Sequence, residues 1–189
     1  MNSLALTFDD GPDSRWTGRL LEALGRLGAR ATFFPIASRA AARPDLIARM
    51  IADGHSVGLH CDEHVRHSTR DAAWGRADTE RALTRLDAVG VTPRLWRTPW
   101  GDCAPWTAAV AQEHGLQLVG WTADSHDWRG DSAADMFAAT RRGLRAGAIV
   151  LAHDGIGPGA RCADVRETVD LAELIAGHAE HLGLGLVAL

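Results

Sequence analysis

Short apolar runs and amphipathic helical stretches alternate along this chain from end to end, and that alternation restricts the fold more than any other feature. Runs at Leu4–Phe8, Ala31–Pro35, Ser56–Leu59, Leu95–Arg97, Leu118–Trp121, Ile149–Ala152 and Leu184–Ala188 read as strands. Between them, Thr17–Leu27, Asp45–Ala52, Asp71–Val89, Pro105–His114, Ala133–Leu144 and Val165–His181 read as helices, with apolar residues at helical spacing such as Leu20, Leu21, Leu24 and Leu27 in the first. A glycine closes each of them, where a left-handed C-terminal cap is expected. Strand–helix alternation implies crossover connections and hence a parallel sheet. About seven such units in 189 residues predict an α/β fold, a small, distorted and incomplete (β/α) barrel of about seven parallel strands forming one domain over residues 1–189. An open doubly wound sheet is the competing architecture, but no G-x-G-x-x-G follows the first strand, so a dinucleotide site is not supported.

Composition narrows the partners. The net charge of −4 is spread without a basic stripe, which argues against nucleic acid. No apolar run approaches the roughly 20 residues of a membrane span, so no membrane partner is expected. Met1-Asn2-Ser3 leads straight into the first strand, without a basic n-region or an apolar h-region, which predicts a cytoplasmic location. Cys61, Cys103 and Cys162 are odd in number and at no metal-motif spacing, so reduced thiols are expected. All 20 Lys and Arg positions are arginine, and tyrosine is absent, which removes Tyr from the candidate acids. The oligomeric state is not readable from the chain.

The polar motifs fall where this topology concentrates chemistry, at the C-terminal ends of strands. Asp9-Asp10 ends the first strand and meets the Gly11-Pro12 breaker at once. Adjacent carboxylates repel, a cost tolerated most readily where something cationic binds: one can hold a metal while the other handles a proton. His60 and His64 follow the third strand four residues apart. In a helical segment that spacing brings both imidazoles to one face, with Cβ atoms about 5–6 Å apart, within reach of one ion. The set Asp10, His60 and His64 therefore reads as a metal site of nitrogen and oxygen ligands with open positions, suited best to Zn²⁺, with Co²⁺, Ni²⁺, Mn²⁺ or Fe²⁺ also fitting. Cys61 neighbours His60 and is expected to point away.

Arg97, at the end of the fourth strand, is expected to pair with a carboxylate. Pro99-Trp100-Gly101 then makes a rigid turn whose N–H groups could face a substrate, as in an oxyanion hole. Asp124-Ser125-His126-Asp127-Trp128 and Leu151-Ala152-His153-Asp154 add carboxylates and an imidazole. An Asp bonded to a His fixes its tautomer and favours the cation, which suits a general acid.

Taken in order, Thr7–Pro12, His60–His64, Arg97–Gly101, Asp124–Trp128 and Leu151–His153 resemble the five motifs of the polysaccharide deacetylases, carbohydrate esterase family 4, also called the NodB homology family. The resemblance spans nearly the whole chain. It implies a distorted (β/α) barrel and metal-dependent hydrolysis of N-acetyl or O-acetyl groups, releasing acetate. It also implies roles: Asp9 as general base, Asp10 with His60 and His64 as metal ligands, and Arg97 as the group that holds Asp9. Trp100 would lend its backbone N–H to the oxyanion, His153 would be the general acid tuned by Asp127, and Trp128 would wall the groove. Three residues depart from the family pattern: Cys61 stands where Thr or Ser is usual, Val65 where Pro is usual, and Trp100 where Tyr is usual. None removes a ligand or a proton-transfer group; they alter the rim.

The expected activity is therefore a zinc-type deacetylase acting on an acetylated sugar or another small acetylated molecule. An acetylxylan-type O-acetyl esterase and a non-catalytic sugar-binding module on the same scaffold are the rivals; the second should have lost a ligand or the base, and neither is missing. Short connections leave little protein for an extended groove, so a compact substrate is expected, with Trp100, Trp128 and Trp16 as candidate walls.

Overall fold

A computed structural model describes residues 2–189. β1 (Ser3–Asp9) lies at the centre of a parallel sheet of order β3-β2-β1-β7-β6, formed with β2 (Ala31–Phe34), β3 (Ser56–Val57), β6 (Ala123–Asp124) and β7 (Ile149–His153). β8 (Gly185–Leu186) pairs with Ser3 and Leu4 of β1 on the edge that β2 occupies from Leu6 onward, while β7 pairs along the opposite edge from Ala5. β4 (Leu95–Trp96) and β5 (Gln117–Leu118) form a separate parallel pair, joined to the main sheet through one bridge between Leu59 and Trp96. The strands thus run around a barrel that stays open between β5 and β6, the incomplete form expected from the sequence.

Local chemistry explains the elements. β1 is buried on both faces from Leu4 onward, as parallel strands are, with Thr7 the one polar residue between Leu4 and Phe8. Its outer faces are covered by α1 (Trp16–Arg26), α3 (Pro44–Ala52) and α7 (Arg166–His181), whose apolar stripes bury Leu20, Leu21 and Leu24, Ile47 and Met50, and Leu171 and Ile175. Each such side chain contributes about 1.5–3 kcal/mol on burial. α4 (Ala72–Asp87), α5 (Thr107–Glu113) and α6 (Ala133–Thr140) complete the outer layer. α1 ends where Gly28 takes φ +59°, a left-handed turn that favours glycine.

The structure departs from the sequence reading in three places. α2 (Ala37–Ala42) has no counterpart there; it is a short run of small helix formers with no apolar period to reveal it. The expected fifth strand, Leu118–Trp121, is instead two short strands, β5 and β6, because the chain leaves β4 after Val119 and re-enters the sheet beside β7. His60–His64 is a loop rather than a helical turn. Among the described residues no helix is long and apolar enough to cross a membrane.

The open seam is spanned from inside. Arg97 is completely buried, and its guanidinium donates to the carbonyls of Val119 (3.4 Å) and Gly120 (2.9 Å) on one side. On the other it donates to Thr7 Oγ1 (2.6 Å) and to Asp9 Oδ1 (2.9 Å), with its plane over the Phe34 ring. Replacing Arg97 by Met leaves Asp9 buried without its cation and two carbonyls without donors. Loss of one partner of a buried pair typically costs about 3–5 kcal/mol. Urea unfolding of Arg97→Met should show a loss of that order; an unchanged midpoint would refute the seam-spanning role.

Candidate active site

Strand register assembles the site. Parallel pairing of β1 with β7 sets Asp9 directly beside His153. Asp9 is still within the strand, and its carboxylate is taken up by Arg97. Asp10 has left the strand: its φ is +72°, the left-handed region that Asp tolerates better than most side chains. That turn sends the second carboxylate to different partners from the first.

Asp10 Oδ1 lies 3.3 Å from His60 Nε2 and 3.2 Å from His64 Nε2. Asp10 is 3% exposed, and Oδ1 has no hydrogen-bond partner among the described residues. Burial works to raise the Asp10 carboxyl; the imidazoles of His60 and His64 outweigh it and hold it well below the ordinary carboxylate range. His60 is bonded through Nδ1 to the Arg97 carbonyl at 2.7 Å. A carbonyl can only accept, so Nδ1 carries a proton and Nε2 is the nitrogen turned toward Asp10. One ligand atom from each of Asp10, His60 and His64 lies within 4.8 Å of the others. An orphaned buried oxygen facing imidazole nitrogens is a donor set that fits a divalent metal. Cys61 is buried outside this cluster, and burial keeps its thiol far above its usual range, so it offers no thiolate.

Asp127 grips His153 twice. Its Oδ1 meets His153 Nδ1 at 2.6 Å, and its Oδ2 accepts the His153 backbone N–H at 2.7 Å and the Thr168 hydroxyl at 2.8 Å. Burial acts to depress His153, but the Asp127 charge overrides it and pushes the imidazole up to about 10. With Nδ1 engaged, Nε2 is the nitrogen left for chemistry. His153 lines a cavity of about 410 Å³ together with Asp9, Asp10, His60, His64 and three tryptophans, Trp100, Trp121 and Trp128.

Trp100 sits in the turn Pro99–Gly101 with φ +55°, its ring edge-on to His64 and capped by the Arg66 guanidinium. Of the candidate site residues, Asp9, Asp10, His60, His64, Trp100, Asp127, Trp128 and His153 line this cavity, and Arg97 lies behind Asp9. Trp16 is a correction: it is 6% exposed at the start of α1, between Arg15 and Arg19, and does not line the cavity. Sequence reasoning missed Thr168, which carries no local signal because α7 brings it to Asp127 only in three dimensions. It also missed the use of Asp154. That carboxylate accepts the Gly11 N–H (3.2 Å) and the Thr17 hydroxyl (2.7 Å), while its own N–H donates to the Asp9 carbonyl (3.1 Å). Asp154 thereby fastens both sides of the Asp9–Gly11 turn.

The polysaccharide deacetylase family model matches residues 1–119. The chain is 35% identical over 159 residues to a chitooligosaccharide deacetylase of Bradyrhizobium, covering 83% of this chain and 73% of that protein. This chain belongs to the polysaccharide deacetylase family. It is 36% identical over 154 residues to the peptidoglycan-N-acetylglucosamine deacetylase PgdA of Listeria monocytogenes, a match covering 80% of this chain and 32% of that protein, about a third of its length. Among solved structures, a family 4 carbohydrate esterase from Streptomyces lividans, in complex with acetate, superposes with a TM-score of 0.86 at 31% identity, covering 97% of this chain and 91% of that one. The open barrel is thus the polysaccharide deacetylase architecture.

Burial raises the Asp154 carboxyl from 3.8 to about 7, outweighing the Thr17 hydrogen bond. Between those two values the folded state holds a proton that the unfolded chain has released, so this group's contribution to stability falls as pH rises from about 4 to about 7. Asp154→Asn keeps the shape and cannot ionise. Its stability relative to the wild type should rise across that window by a few kcal/mol, at roughly 1.4 kcal/mol for each pH unit crossed. A difference independent of pH in denaturation series would refute the assignment.

Proposed function

We propose that this chain is a zinc-dependent deacetylase that hydrolyses the N-acetyl group of an acetylated amino sugar and releases acetate. The observation that carries the reading is the pairing of Asp9 with His153 across β1 and β7, beside the Asp10–His60–His64 cluster, in one cavity. Asp10, His60 and His64 would hold the divalent cation, which when bound supplies Lewis-acid polarisation of the acetyl carbonyl and eases ionisation of a water.

The protein's own groups do the rest. Asp9, its charge held by Arg97, takes the proton from the attacking water. His153, protonated through neutral pH by Asp127, gives its Nε2 proton to the departing amine. The Trp100 backbone N–H is assigned to the oxyanion that forms on the acetyl carbon. The indoles of Trp100 and Trp128 offer flat faces for a sugar ring. The relatives named above are peptidoglycan and chitooligosaccharide deacetylases, which supports an N-acetylglucosamine-type ring as the group recognised. A cavity of about 410 Å³ lies at the small end of ligand sites, which favours a short substrate over a polymer. A non-catalytic sugar-binding module would need no paired base and acid, and both are kept here.

Acetate release should be measured across acetylated mono-, di- and oligosaccharides, polymeric chitin and O-acetylated sugars. Chelation should abolish it, and Zn²⁺ or Co²⁺ should restore it; full activity in verified metal-free protein would sink the reading. Preference for O-acetyl substrates would reassign the chain as an esterase. Asp9→Asn and His153→Ala should each lose about 10²–10⁴-fold in kcat while still binding metal. In wild-type protein kcat/KM should fall on the alkaline side only as His153 deprotonates. Asp127→Asn should move that limb to lower pH by roughly 1–3 pH units, the usual effect of a carboxylate partner. An unmoved limb would show that another group is the acid.

A further inference from the structure

The two imidazoles of the cluster are held in different ways. His60 is fixed through its own ring, by the Arg97 carbonyl on Nδ1, and its backbone carbonyl accepts from Trp96 Nε1 at 3.0 Å. His64 lacks such a partner: its Nδ1 is buried and unbonded among the described residues. Metal-binding histidines nearly always have a partner on the second nitrogen. Apart from the Trp100 ring against its side, His64 is aimed by the backbone that carries it, and that backbone is a loop.

The loop is held from α4. Asp78 is 4% exposed, and its carboxylate accepts the N–H groups of Asp62 (3.1 Å) and Glu63 (2.8 Å), the two residues just before His64. Arg81, on the same helix, donates to Asp62 and Glu63 at 3.0 Å each and to Asp78 at 3.1 Å. Arg85 adds a second ion pair to Asp62 at 2.8 Å. Two arginines thus tie the three acids of the helix and the loop together. The buried side chains of α4 include Asp78, Ala82 and Leu86, so this aspartate occupies the helix's apolar stripe, an expensive place for a carboxylate that its two N–H partners and Arg81 offset. Beyond His64 the next anchor is His67, buried against Trp96 and Trp106 with its Nδ1 at Thr107 Oγ1.

We propose that Asp78 is a positioning residue of the cation site, doing for His64 through the loop what the Arg97 carbonyl does for His60 through its ring. The inference rests on the reading of Asp10, His60 and His64 as a divalent-cation site. Asp78 is outside that cluster, so its removal acts on affinity and not on the proton transfers. Zn²⁺ affinity should be measured by competition with a chromophoric chelator, alongside thermal unfolding of the metal-free proteins. Asp78→Ala should weaken affinity about 10–100-fold, the usual cost of losing such support, and turnover should recover in excess Zn²⁺. Asp78→Asn, which still accepts one N–H, covers the case in which the alanine variant does not fold, and should weaken affinity less. Leu86→Ala removes packing from the same helix and should lower thermal stability while leaving affinity unchanged. Wild-type affinity in either folded Asp78 variant, or equal weakening in Leu86→Ala, would overturn the proposal. Wild-type protein that binds no Zn²⁺ would instead overturn the cation-site reading beneath it, before any substitution is made.

Discussion

One buried guanidinium organises both the fold and the chemistry. Arg97 lies where the barrel fails to close, and its donors satisfy carbonyls of Val119 and Gly120 that no neighbouring strand can pair. The same group fixes Asp9, and its backbone carbonyl sets the tautomer of His60. A lysine could not do this, since a planar fork is needed to serve both sides of the seam at once. The opening in the barrel and the placement of the Asp9 carboxylate therefore depend on the same group. An extra strand pairing with β5 would take up the carbonyls that Arg97 serves and leave its charge to Asp9 alone.

The parts of this arrangement that depend on period and register were legible in the sequence. Apolar runs alternating with helical stretches placed Asp9, His60, Arg97 and His153 at one end of a parallel sheet, and the structure joins Asp9 to His153 through strand pairing. Less legible were elements too short to carry a period. β6 has two residues, and α2 is built from small side chains. The i, i+4 spacing of His60 and His64 suggested a helical face, yet the loop delivers the same proximity, with ring centroids 5.1 Å apart. The groups that support the site were hardest to read. Asp78, Asp154 and Thr168 all act on backbone or side chains far away in sequence, so no local pattern announces them. Asp78 left one trace, a charged residue on an apolar helical stripe.

The adjacent aspartates show how strain is accommodated. Asp10 occupies a left-handed conformation that costs a non-glycine residue on the order of 1 kcal/mol. Its surroundings over-determine it. The Asp10 N–H donates to the Phe34 carbonyl at 3.2 Å, and Arg39 donates to the Asp10 carbonyl at 2.8 Å and to the Ile156 carbonyl at 2.8 Å. Asp154 holds the following peptide. Gly157 closes over the carboxylate so tightly that a Cβ there would fall 1.9 Å from Asp10 Oδ2. Only glycine fits, and the segment after β7 is consequently part of the mould around Asp10.

The residues that depart from the family pattern sit in this frame without disabling it. A proline after His64 would stiffen the loop covalently by fixing φ and removing an N–H. Val65 leaves both free, and its N–H instead donates to the Glu63 carbonyl at 2.8 Å, a bond proline could not make. The peptides on the other side of Glu63 are already fastened to Asp78. Hydrogen bonding thus replaces ring closure as the source of rigidity around His64. The neighbour of Val65 joins the cavity wall: Arg66 lies over Trp100, whose ring rests against His64. Stiffness that the family pattern places within one residue is here distributed across the loop, α4 and the cavity wall. A change in any of them is transmitted to the aim of the same imidazole.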